Sequence, residues 1–134
     1  MNLLSLVVPI VFAVGVTASA PVEEPLVCRL EALSPSEREL HQRLAESLRR
    51  AVTEISELPS GYSLTLDLSR LPADAKGLPF CVVEVAEWVD LESRCCPFLD
   101  FEISLRDKGR HITLRLTGGP DAKRFLREEL GLKR

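Results

Sequence analysis

The chain has few histidines, no excess of positive charge, and no lysine or arginine ahead of Arg29. Each shortage excludes something. The formal net charge is -3, so there is no basic field to hold a phosphate backbone, and nucleic acid is not an expected partner. His41 and His111 are the only histidines, and neither has metal-ligand spacing to the other or to a cysteine pair. Both read as surface residues. No pattern supports a Ser-His-Asp arrangement, and Glu84, Glu87 and Asp90 read as the solvent face of a helix. No catalytic or cofactor-binding residue is therefore expected. Internal repeats and low-complexity tracts are also missing.

What is present fits one globular domain. The chain has 134 residues, 28% of them charged and 46% hydrophobic. This is the composition of a folded chain, not a disordered one, and the length suits a single core.

Residues 1–20 stand apart. Leu3 to Val16 is nearly all apolar, small residues follow from Thr17 to Ala20, and the chain turns polar at Glu23. That is the outline of a secretory signal. Cleavage after Ala18 is preferred over cleavage after Ala20, where Pro21 would follow the cut. The missing basic N-terminal region keeps an uncleaved membrane anchor open. The expected location is thus exported, periplasmic or extracellular, or membrane-anchored through this segment alone. A cytoplasmic location follows if the start is mis-assigned. Residues 21–33 form a linker leading into the domain, which spans 34–132.

Within the domain, Ser34, Pro35 and Glu37 carry a helix start with a capping box. Leu40, Leu44, Leu48, Val52 and Ile55 follow at helical spacing. Alternation from Tyr62 to Leu68 predicts a strand. Phe80 to Arg94 predicts a second helix, which Pro97 stops. Phe101 to Leu105 and Ile112 to Leu116 alternate around the Asp107-Lys108-Gly109 turn and predict a hairpin. Pro120 opens a last helix, and Gly118-Gly119 before it reads as a turn rather than an anion site. The expected fold is α+β, in the order α-β-α-β-β-α. It has a three-stranded antiparallel sheet with helices on one face.

The distinctive chemistry lies in four cysteines: Cys28, Cys81, Cys95 and Cys96. Cys81 and Cys95 sit near opposite ends of one expected helix. At ~1.5 Å per residue they are roughly 20 Å apart, and a disulfide needs Cα atoms within about 7 Å. Unless that helix is broken, Cys81 therefore cannot pair with Cys95 or Cys96, and it reads as a small buried hydrophobe. Two readings stay open for the adjacent pair. Cys95 and Cys96, with Cys28 as a third sulfur, could hold a thiophilic ion such as mercury, copper or zinc. Alternatively, Cys28 bridges Cys95 or Cys96 in a structural or protein-interaction domain. The pair ends a helix, where the dipole raises a thiol pKa, which argues against thioredoxin-like chemistry.

Several blocks carry a family resemblance: Cys28-Arg29-Leu30, Glu57-Leu58-Pro59-Ser60-Gly61-Tyr62, Leu91 to Phe98 with its Cys-Cys-Pro-Phe motif, and Leu116-Thr117-Gly118-Gly119 with Lys123 and Phe125-Leu126. Over residues 26 to 132 the chain resembles small bacterial proteins of no established function. Some of them neighbour, or are fused to, mercury-responsive regulators of the MerR type. The resemblance implies a stand-alone domain in which Cys28, Cys95 and Cys96 are the family's cysteines and Cys81 is not. Those relatives mostly lack an export segment, so the N-terminus departs from their pattern.

Overall fold

The computed structural model describes residues 26–132 and, upstream of them, Gly15. The expected export or anchor segment at 1–20 and the first part of the linker lie outside the described residues, Gly15 apart. Among the described residues no helix is long and apolar enough to cross a membrane.

Helix α1, Pro35–Ala51, begins where the capping box predicts it. The Ser34 side chain accepts from the Glu37 N–H, and the Glu37 carboxylate accepts from the Ser34 N–H. Its Leu44, Leu48 and Ala51 are buried. The helix stops at Ala51, and strand β1, Val52–Leu58, follows directly. Val52 and Ile55, which fit the helical stripe by spacing, belong to this strand. β-Branched Val52, Thr53 and Ile55 favour the extended state. The hairpin partner β2, Gly61–Asp67, pairs with β1 from Val52↔Leu66 to Leu58↔Gly61.

Helix α2 spans Val82–Cys95, strand β3 Asp100–Arg106, strand β4 His111–Thr117 and helix α3 Pro120–Glu129. The fold is α+β, with a four-stranded, fully antiparallel sheet in the order β1-β2-β4-β3. The expected three-stranded sheet is corrected to four because the C-terminal part of the anticipated first helix is a strand. Two hairpins thus meet through β2 and β4.

Alternation along the two central strands divides the sheet into faces. Tyr62, Leu64 and Leu66 of β2 are buried beside Ile112, Leu114 and Leu116 of β4, and the register puts Leu64 opposite Leu114. The three helices cover this apolar face. Ser63, Thr65, Thr113 and Arg115 form the other. Gly61 marks a close approach: a Cβ there would come within 1.9 Å of the Leu116 carbonyl oxygen. A side chain at 61 would force the two central strands apart.

A candidate thiol site at the end of helix α2

The site is built by helix α2 and the segment ahead of α1. Helix α2 ends because Pro97 lacks an N–H and restricts the residue before it. The Cys96 N–H closes the last turn on the Glu92 carbonyl at 2.7 Å. The strap from Leu26 to Leu33 crosses this end, and the Arg29 N–H donates to the Cys95 carbonyl at 2.8 Å. That backbone bond sets Cys28 beside the pair, and Cys28 is disulfide-bonded to Cys96 with Cα atoms 4.9 Å apart. Cys95 remains a thiol and is fully buried, as is Cys96.

All three expected residues, Cys28, Cys95 and Cys96, therefore come together. Two further groups that sequence reasoning missed join them. Glu92 lies one helical turn before the pair and points the same way. Its carboxylate is 3.4 Å from Cys96 Sγ, 3.9 Å from Cys28 Sγ and 3.9 Å from Cys95 Sγ. Its spacing of three and four residues from the cysteines was a usable signal. His41, on α1, binds the Glu92 carboxylate through Nε2 and is half-buried, not the surface residue its sequence context suggests. No local pattern links two residues separated by 51 positions. The ligand atoms of Cys28, Glu92, Cys95 and Cys96 lie within 4.8 Å of one another.

The Cys95 thiol donates to the Glu92 carbonyl at 3.4 Å, and its sulfur sits 3.9 Å from that of Cys96. Burial, then the Glu92 carboxylate, pushes its pKa up to about 11; the nearby Arg94 opposes this weakly. Arg94 is itself engaged by Glu37 at 2.9 Å and Asp90 at 3.5 Å. A thiol held protonated is a poor nucleophile. The geometry suits a cation that displaces the proton better than it suits attack on a substrate.

Cys81 departs from its expected role. It is exposed, with a free thiol, and occupies the N-cap of α2, where the Glu84 carboxylate accepts from its N–H at 2.9 Å. Its place just outside the helix, not in the apolar stripe, explains the exposure. His111 is exposed, near Asp107 and Asp67. Lys123, beside the Gly118-Gly119 turn, pairs with Glu57 at 2.7 Å.

Comparisons with protein-family models, with curated proteins and with solved structures find no match.

Proposed function

We propose that this domain is a thiol-based binding module for a thiophilic metal ion, mercury, copper or zinc, at Cys28, Cys95 and Cys96. The observation that carries it is the gathering of three sulfurs and one carboxylate within 4.8 Å. Soft thiolates select soft or borderline cations over calcium and magnesium. Glu92 offers a fourth ligand atom, and His41 orients that carboxylate, as outer-shell partners of metal ligands do. The resemblance to proteins that neighbour mercury-responsive regulators supports the same reading, as does an exported or membrane-anchored setting in which the domain meets external ions.

The three-sulfur site is the reduced form. An external dithiol transfers two electrons to the Cys28–Cys96 bond and becomes a disulfide itself, freeing two thiols beside Cys95. Metal binding then displaces thiol protons, so affinity falls as pH falls.

A second reading is favoured by the Cys28–Cys96 bond itself: a structural or protein-interaction domain in which the bridge ties the strap to α2. A titration separates the two. The reduced protein is titrated with Hg(II), Cu(I) and Zn(II) while sulfur-to-metal charge-transfer absorbance is followed for the first two and competition with a chromophoric chelator for zinc. Saturation at one equivalent, lost in the Cys95→Ser/Cys96→Ser variant, is expected. No saturable response, or one unchanged in that variant, leaves the structural reading.

A further inference from the structure

A cation held by the thiols uses sulfur and carboxylate alone, yet the cluster borders an apolar space. A cleft of about 500 Å³ is lined by Cys28 and Glu92 together with side chains of α1, α3 and the central strands. Leu30, Ala45, Val52, Phe125 and Leu130 line it as well, and each keeps part of its surface open. The volume lies in the range of small-molecule sites, in which an apolar lining surrounds a few polar or metal-binding groups. A bare ion is far too small to fill it.

The three cysteines do not share this border. Cys28 is half-buried and lines the cleft, whereas Cys95 and Cys96 are fully buried. Once the Cys28–Cys96 bond is reduced, the thiol that adjoins the cleft is that of Cys28, with the Glu92 carboxylate 3.9 Å from its sulfur. A ligand suited to this arrangement needs one thiolate, carries positive charge toward Glu92 and brings an apolar group for the cleft. Of mercury, copper and zinc, only mercury keeps a carbon–metal bond in water. An alkyl- or arylmercury cation is two-coordinate, with one carbon and one thiolate.

We propose that the reduced site takes an organomercury cation, with the mercury on Cys28 and the organic group in the cleft. The inference rests on the metal reading and narrows its ligand. On binding, the Cys28 S–H bond breaks and a sulfur–mercury bond forms. The proton leaves with the anion that accompanied the cation, and the carbon–mercury bond stays intact.

Cys81 is exposed and would take an equivalent of its own, so the test uses the full chain carrying Cys81→Ser, reduced and then freed of reductant. It is titrated with phenylmercury and separately with methylmercury, against 2-mercaptoethanol as competitor, and bound mercury is counted by native mass spectrometry. The competitor cancels the intrinsic strength of each mercury–sulfur bond, so the difference reports the organic group. One equivalent of phenylmercury is expected, held about tenfold more tightly than methylmercury because the ring buries more apolar area. Ala45→Phe fills the cleft and should bring the two to parity while Hg(II) still binds. Cys28→Ser should abolish the phenyl preference. If Ala45→Phe does not fold, Cys28→Ser and the ratio in its parent decide. Equal partition of the two organomercurials beside saturable Hg(II) binding overturns this inference and leaves the metal reading standing, as does a preference that persists in a folded Ala45→Phe or in Cys28→Ser. Absence of saturable Hg(II) binding overturns both.

Discussion

The two ends of helix α2 carry the same chemical group in opposite settings. At the N-terminal end Cys81 is exposed and unbridged, outside the first turn, with its backbone N–H donating to the Glu84 carboxylate. At the C-terminal end Cys95 and Cys96 are fully buried, one bridged to the strap and one held beside a carboxylate. The helix dipole alone would favour thiolate at the first end and disfavour it at the second. Burial and Glu92 add to the dipole at the C-terminal end. Position along one helix therefore separates a solvent-facing thiol from a gathered cluster of sulfurs and a carboxylate.

The largest expected effect belongs to the bridge. Cys96→Ser opens a disulfide of sequence separation 68 and should lower stability by roughly 4 kcal/mol in denaturant melts, the chain-entropy value for a loop of this length. Cys81→Ser at the other end is the contrast. A loss of similar size there would erase the distinction between the two ends.

The next effect is on pH dependence. The Cys95 pKa is raised from 9.0 to about 11 in the folded protein. The unfolded chain thus loses this proton first as pH rises. Its contribution to stability is complete below about pH 9 and is lost progressively up to about pH 11. Glu92→Gln removes the charge that helps raise this pKa, so the alkaline fall in stability should still begin near pH 9 but be smaller and end at lower pH than in the parent, measured by urea melts from pH 8 to 11. A shift the other way would remove Glu92 from the account.

Chemical reactivity should follow the same divide. Iodoacetamide at neutral pH, followed by peptide mass spectrometry, should label Cys81 and leave Cys95 unlabelled until the protein is unfolded. Equal labelling of both would show that the buried end is not closed. The smallest effect is expected for Cys81→Ser. Serine is a preferred N-cap residue, so stability should change by no more than about 0.5 kcal/mol, in either direction.

Much of the architecture was legible in the sequence. The capping box at Ser34, the stop at Pro97 and the alternation around Asp107-Lys108-Gly109 each rest on local chemistry and appear where expected. The strand β1 was not, because Val52 and Ile55 satisfy a helical stripe and no glycine or proline separates α1 from it. The thiol site was legible in part. Adjacent cysteines before proline mark it, and Glu92 could have been found from its helical spacing. Which of Cys95 and Cys96 pairs with Cys28 depends on how the strap crosses the helix end, and His41 reaches Glu92 only through the packing of α1 on α2.

The central claim is that the buried end of α2 holds a soft cation and the exposed end does not. X-ray absorption spectroscopy on the reduced protein loaded with one equivalent of Zn(II) tests this most directly. The account predicts three sulfur neighbours at about 2.3 Å and one oxygen at about 2.0 Å, unchanged by Cys81→Ser and lost in Cys95→Ser/Cys96→Ser. A shell of oxygen and nitrogen alone, or a single sulfur that vanishes with Cys81→Ser, would contradict it.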